Sequence, residues 1–212
     1  MKKQLINSII FLFIIFIVSC DNNENKDIKI DSHYYDDDPE FELLWERYLE
    51  SSGGGWKDNL NGRFSWDDSY ALEGLLYAFQ TDQKLIYLDK FIERADIIIE
   101  HNDIYFNFVD IFRENKSYCS YGTTRYTNDR SHHIFTIHDA MISSPLVTFL
   151  NVISNYHLPK KYLDKAKIYL EVVLKNFEEI HAKDFVEIDE NSGFFQDPYF
   201  QSLGFYTPIN QF

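Results

Sequence analysis

Two stretches of this sequence repeat the same spacing of apolar residues, and the repeat constrains the fold more than any other feature. In residues 68–99 and again in residues 138–180, apolar side chains recur every three or four positions, break at a short polar turn and then resume. This period predicts two antiparallel α-helices in each stretch. Tyr87-Leu88-Asp89-Lys90 aligns without a gap on Tyr162-Leu163-Asp164-Lys165, an offset of 75 residues. We therefore expect an all-α protein built from repeated helical hairpins.

A short helix is predicted before the repeats, and two aromatic segments separate and follow them. Pro39 opens this helix, and the run of glycines at residues 53–55 ends it. Residues 102–137 predict a long loop, or a loop with a small hairpin, and residues 185–212 predict irregular structure. Long loops inside a compact domain are usually functional.

The N-terminus has the order of an export signal. Two lysines are followed by an apolar run at residues 9–18, which is shorter than the roughly 20 residues that span a bilayer. The motif Ile17-Val18-Ser19-Cys20 resembles the lipobox of bacterial lipoproteins. This resemblance implies that residues 1–19 are removed and that acylated Cys20 holds the protein on a membrane of the bacterial envelope, on the exported side. The alternative is an ordinary secretory signal with an incidental cysteine.

The residues after Cys20 are polar and acidic, which predicts a disordered tether over residues 20–38. The sequence then divides into a signal peptide at 1–19, the acylated cysteine and tether at 20–38, and a helical domain at 39–212. The chain has a formal net charge of -14, which argues against nucleic acid as a partner. Once Cys20 is acylated only Cys119 remains, so the stability of the domain must come from packing. No nucleotide-binding or zinc-protease motif occurs, and we expect no cofactor.

Repeated helical hairpins with aromatic and polar loops along one edge resemble the (α/α) toroid, or six-hairpin glycosidase-like, enzymes that process polysaccharides. The resemblance is carried by Trp66-Asp67-Asp68-Ser69-Tyr70-Ala71-Leu72-Glu73-Gly74-Leu75, by the Asp82 turn before Tyr87-Leu88-Asp89, and by His138-Asp139-Ala140-Met141-Ile142 with Pro145-Leu146. A full toroid has up to six hairpins, whereas two are clear here. The expected fold is therefore a partial toroid with long aromatic loops, either truncated or a small open arc.

In such toroids the substrate lies in a groove formed by the ends of the inner helices and the loops before them. The resemblance therefore implies catalytic roles for Asp68, His138 and Asp139. A glycosidase needs two carboxyl groups, which Asp68 and Asp139 would supply, and a lyase or epimerase needs a base such as His138 or Tyr126. The alternative for both aspartates is capping of a helix N-terminus.

Substrate contacts are expected from residues of two kinds. Aromatic rings stack on sugar rings, which nominates Trp66 and Tyr126 first, with core packing as the alternative. Arg63 and Arg125 could neutralise the carboxylate of a uronic acid. Asp67 is a further candidate for substrate binding, because it lies beside Trp66 in the sequence. The adjacent His132 and His133 point apart in an extended segment, so no metal site is expected.

These expectations favour a lipid-anchored protein of a carbohydrate-processing system, either a polysaccharide hydrolase or a lyase, with a polysaccharide or oligosaccharide as its partner. A lipoprotein that binds glycan or protein without catalysis is the first alternative. A truncated, inactive relative is the second.

Overall fold

The computed structural model describes residues 38–51, 54–189 and 192–204. The predicted signal peptide, Cys20 and all but the last residue of the predicted tether lie outside these residues. The described part is mostly helical, which confirms the all-α class. None of its helices has the length and apolar content that crossing a bilayer requires.

The helices and strands follow one another in this order: α1 (Pro39–Glu50), a π-helical turn (Phe64–Asp68), α2 (Ser69–Asp82), α3 (Leu85–Glu100), α4 (Asp103–Phe106), α5 (Thr136–Ser154), α6 (Lys160–Asn176), a second π-helical turn (Phe177–His181), α7 (Ala182–Asp184), β1 (Phe185–Asp189), β2 (Ser192–Phe195) and α8 (Pro198–Ser202).

The two predicted hairpins are present as α2 with α3 and as α5 with α6, each within a few residues of its predicted bounds. The hairpins lie side by side, so that α2 packs against α5 and α3 packs against α6. Phe91 of α3 stacks on Phe149 of α5, with ring centroids 4.5 Å apart and planes 9° from parallel. Both rings are fully buried, and they lie at the centre of one hydrophobic core shared by the two hairpins.

Polar contacts join the second helices of the two hairpins, α3 and α6. Asp89 accepts a hydrogen bond from the hydroxyl of Tyr162 at 2.9 Å. Two turns further along α3, Asp96 accepts a hydrogen bond from Lys165 Nζ at 2.5 Å and one from the hydroxyl of Tyr169 at 3.0 Å. Two aspartates seven residues apart lie on the same face of a helix. They therefore align the second hairpin on the first along the length of both helices.

Helix α1 begins where the predicted tether ends. Asp38 accepts a hydrogen bond from the backbone N–H of Phe41 at 3.0 Å, which caps the helix, and it also binds Lys84 Nζ at 2.8 Å. Trp45 of α1 is buried in the core. Asp38 thus belongs to the folded domain.

The C-terminal segment differs from the prediction. The irregular structure predicted for residues 185–212 is wrong for the described residues, because β1 and β2 pair antiparallel as a hairpin and α8 follows them. Val186 and Ile188 are β-branched residues two positions apart on β1, a pattern that favours a strand over a loop.

A buried histidine ties the long loop after α4 to this C-terminal segment. His133 Nδ1 lies 2.9 Å from Asp110 Oδ2, and its Nε2 lies 2.8 Å from Asp197 Oδ1. Beside them, the guanidinium of Arg113 binds both carboxylate oxygens of Asp184. All five side chains are buried. The loop is therefore held at several points by residues that follow it by 60 or more positions.

Candidate functional site

The first π-helical turn places Trp66 at the surface beside the start of α5. Phe64, Ser65 and Asp68 of this turn point into the protein, whereas Trp66 remains 39% exposed. Its indole Nε1–H donates to Nε2 of His138, 3.1 Å away and 72 positions later in the chain. π-Helical turns are rare and occur frequently at functional sites. Two residues that the sequence nominated separately are thus in direct contact.

The long loop brings a second nominated ring to the same place. The ring of Tyr126 lies edge-on to His138, with centroids 4.9 Å apart, and remains 41% exposed. Phe135 closes the inner side of the group, 5.3 Å from His138. We call Trp66, Tyr126, Phe135 and His138 the aromatic site. It combines two half-exposed rings with a buried histidine between them.

The hydrogen bond from Trp66 fixes the tautomer of His138. An indole N–H can only donate, so Nε2 of His138 must carry a lone pair and the ring proton of the neutral imidazole must lie on Nδ1. Burial lowers the pKa of His138 to about 4, so the ring is neutral at pH 7. Nδ1 is buried and has no hydrogen-bond partner in the described part of the chain. The aromatic site therefore contains an N–H donor without an acceptor, and buried donors are normally satisfied.

A cation lies at the rim of the aromatic site. The guanidinium carbon of Arg125 is 5.5 Å from the centre of the Tyr126 ring, and the side chain is exposed. Its hydrogen-bond partner is the backbone carbonyl of Asn61, at the long distance of 3.4 Å. Arg63 differs, because its Nη1 binds Asp67 Oδ2 at 2.7 Å. Arg63 and Asp67 neutralise each other, whereas the charge of Arg125 faces solvent.

Asp68 lies in a different environment from the one its predicted catalytic role needs. It is fully buried, receives two hydrogen bonds from Arg94 and accepts a third from the hydroxyl of Tyr48. It has no exposed atom with which to contact a sugar. The capping alternative for Asp68 is wrong, because its side chain makes no cap hydrogen bond to α2.

Asp139, which follows His138 on α5, is also fully buried. Ser120 Oγ donates to Asp139 Oδ1 at 2.5 Å, and His181 Nε2 lies 3.1 Å from Asp139 Oδ2. Its side chain makes no cap either, since α5 begins at Thr136 and carries no side-chain cap. The two nominated carboxylates therefore have separate buried partners, whereas Trp66, His138, Tyr126 and Arg125 come together.

The three neighbouring histidines have separate partners. His132 Nε2 lies 2.9 Å from Asp103, His133 lies between two aspartates, and His138 contacts Trp66. Within residues 38–51, 54–189 and 192–204, no three His, Cys, Asp or Glu side chains are arranged to hold a metal ion. Cys119 is buried, and burial raises the pKa of its thiol, which keeps the thiol protonated.

Sequence reasoning missed Phe135 and the partners of both aspartates. Arg94 carried a signal, because it is a charged residue at an apolar position of α3 and such a residue requires a buried counterion. Ser120 and His181 carried none, since nothing in the local pattern pairs them with Asp139.

No family model matches this chain, and neither a curated protein nor a solved structure matches it significantly.

Proposed function

We propose that this chain is a lipid-anchored glycan-binding protein of the bacterial envelope, and that the aromatic site is where it binds sugar. The observation that carries the proposal is the group of Trp66, Tyr126 and His138. Two rings, 39% and 41% exposed, flank a histidine whose Nδ1–H has no acceptor among the described residues. Apolar surface with a few placed polar groups is the usual composition of a small-molecule site.

The chemistry of the site suits a sugar. Pyranose rings have apolar C–H faces that pack on Trp and Tyr, and hydroxyl and ring oxygens that accept hydrogen bonds. His138 Nδ1 is out of contact with solvent, so the sugar would pack on the exposed faces of Trp66 and Tyr126. Because the indole of Trp66 is hydrogen-bonded to His138, its ring is held in place before the ligand arrives, which lowers the ordering cost of binding.

Binding is favoured over hydrolysis because of the state of the carboxylates. A glycosidase needs two carboxyl groups about 5–5.5 Å or about 6.5–9.5 Å apart, on either side of the scissile bond. Asp68 and Asp139 are both buried, one against Arg94 and the other against Ser120 and His181. His138, with a pKa of about 4, is a weak base at neutral pH. The non-catalytic alternative therefore accounts for more of the site than the hydrolase does.

The partial (α/α) toroid remains part of the proposal. Its support is the layered arrangement, with α2 and α5 in one layer and α3 and α6 in the other, and the 75-residue offset between the two hairpins. The aromatic site lies at the N-terminal ends of α2 and α5. This is the edge at which the resembling enzymes place their substrate groove.

Glycan binding is tested with the full-length protein in a non-ionic detergent and a panel of neutral and acidic oligosaccharides, by calorimetry and tryptophan fluorescence. We expect Trp66→Ala and Tyr126→Ala each to weaken binding about tenfold or more. Tyr105→Ala is the matched control, since Tyr105 is 64% exposed on α4 and its aromatic contacts are His101 and Phe106. Failure of the wild type to bind any sugar on the panel would refute the proposal, and turnover of a sugar would favour the enzyme instead.

The anchor needs a separate test. Cells that express the full-length chain are fed a labelled fatty acid, and the purified protein is then analysed by mass spectrometry. The label should be present in the wild type and in Cys119→Ala, and should be lost in Cys20→Ala. Equal labelling of all three would rule out Cys20 as the acylated residue.

A further inference from the structure

The loop that carries Tyr126 differs in charge from the rest of the protein. Residues 123–131 contain two cations, Arg125 and Arg130, and one carboxylate, Asp129, in a chain whose formal net charge is -14. Both hydrogen-bond donors of Ser131, its backbone N–H and its hydroxyl, donate to Asp129 Oδ1, at 3.0 and 2.6 Å. These hydrogen bonds lower the pKa of Asp129 and direct its carboxylate to Ser131. The loop therefore presents a local positive charge beside the aromatic site.

Other arginines near the core are already neutralised. Arg63 is paired with Asp67, Arg94 with Asp68, and Arg113 with Asp184. Arg125 has no carboxylate oxygen within 4 Å among the residues that the structure describes. Placing an unpaired guanidinium on an aromatic ring leaves its planar edge free to bind a carboxylate through two parallel hydrogen bonds.

We infer that the aromatic site selects a sugar that carries a carboxylate, as in a uronic acid, and that Arg125 binds this carboxylate. The inference rests on the proposed function and specifies its ligand. Tyr126 is the geometric link, because its ring contacts the Arg125 guanidinium at 5.5 Å and the His138 ring at 4.9 Å. A sugar packed on Trp66 and Tyr126 can place an acidic substituent at Arg125, whose guanidinium lies against Tyr126.

The acidic character of the whole protein sets a limit on the ligand. At about 0.15 M ionic strength the screening length is about 8 Å, so distant carboxylates act weakly and the nearest charges dominate. One carboxylate at Arg125 is favoured, whereas further carboxylates along a polyanion would meet the acidic remainder of the surface. The ligand class is therefore a glycan with isolated acidic sugars.

The test compares ligand pairs that differ only in charge. Trisaccharides that each carry a single galacturonic, glucuronic or mannuronic acid, their methyl esters and neutral trisaccharides are titrated into the full-length protein in a non-ionic detergent. We expect the wild type to bind at least one acid about tenfold more tightly than its ester. Arg125→Gln should reduce the affinity for this acid to that for the ester and leave the affinity for the ester unchanged. Arg125→Lys should restore part of the preference.

Arg47→Gln is the matched control, since Arg47 is an exposed cation on α1, and it should leave both affinities unchanged. Thermal unfolding of each variant verifies that it is folded. The inference is overturned if wild type binds esters or neutral trisaccharides as tightly as every acid, in which case glycan binding itself stands. It is also overturned if Arg125→Gln keeps the preference for the acid. If no acid, ester or neutral sugar binds, glycan binding fails and the inference fails with it.

Discussion

Arg94 binds Asp68 in a bidentate ion pair, with Nε 2.7 Å from Oδ1 and Nη2 2.5 Å from Oδ2, and neither side chain has appreciable exposure. The pair joins α3 to the π-helical turn that carries Trp66. Arg94 also donates to the backbone carbonyl of Trp56 at 2.7 Å. This geometry assigns Asp68 the role of positioning the turn.

Asp68→Asn should therefore destabilise the protein strongly. Removing one partner of a buried pair leaves the guanidinium without a counterion, which costs about 3–5 kcal/mol of unfolding free energy. Asp67→Asn is the matched control on the adjacent residue, because its pair with Arg63 is partly exposed and is worth about 0–1 kcal/mol. Urea denaturation measures both. Equal, small effects of the two substitutions would contradict a structural role for Asp68.

The state of His138 predicts a pH dependence of stability. Its folded pKa of about 4 lies below the ordinary value of 6.5, so the unfolded chain takes up the proton first as the pH falls. The stability contributed by neutral His138 is complete above pH 6.5 and is lost as the pH falls towards 4. The full effect is on the order of 3 kcal/mol. The difference in unfolding free energy between wild type and His138→Gln should shrink over this range, and a constant difference would show that His138 does not titrate as described.

His133 should behave in the opposite way. Burial alone lowers the pKa of His133, but the hydrogen bonds to Asp110 and Asp197 outweigh this effect and raise it above 6.5. Because each ring nitrogen faces a carboxylate, both should carry protons, and the stability that the imidazolium contributes should be lost only as the pH rises above 6.5. Nitrogen-15 NMR at pH 6 should show a charged His133 and a neutral His138 in one sample. A neutral spectrum for both would contradict the prediction.

Gly62 packs directly against the two exposed rings of the aromatic site, Trp66 and Tyr126. Its φ of 71° is left-handed, and a Cβ there would lie 3.1 Å from Tyr126 Cε2 and 3.4 Å from Trp66 Cδ1. Gly62→Ala should cost about 1–2 kcal/mol and displace Tyr126, which tryptophan fluorescence would detect. Gly74→Ala is the control, since a Cβ at this helical position of α2 meets no atom within 4 Å and should stabilise the protein by about 0.5–1 kcal/mol. A neutral result for Gly62→Ala would mean that the turn relaxes freely.

The sequence predicted the helices well because their apolar period is local. The bounds of α2 and α5 follow directly from the spacing of residues such as Leu72, Leu75, Ile142 and Phe149, which are all buried. The sequence nominated Trp66 and Tyr126 as surface rings with core packing as the alternative, and their exposure depends on the tertiary packing of the turn and the loop.

The partners of the titratable residues were not predictable to the same degree. Asp68 and Asp139 have helix-start patterns identical to those of capping or catalytic aspartates, and only tertiary packing decides between them. The contact of Asp139 with His181 spans 42 positions, and that of Asp68 with Arg94 spans 26. No periodicity encodes contacts of this range, since they depend on how the hairpins and the loop pack.

The ties between the long loop and the C-terminal segment also set an order of events during folding. The backbone N–H of Asn128, in the loop that carries Arg125 and Tyr126, donates to the hydroxyl of Tyr199 at 2.9 Å. In the same way, His133 forms its hydrogen bond only when Asp197 is in place. Both partners follow the loop in the chain, by 71 and 64 positions. The loop can reach its final position only once the C-terminal segment is in place, so we expect the aromatic site to be completed in the last stage of folding.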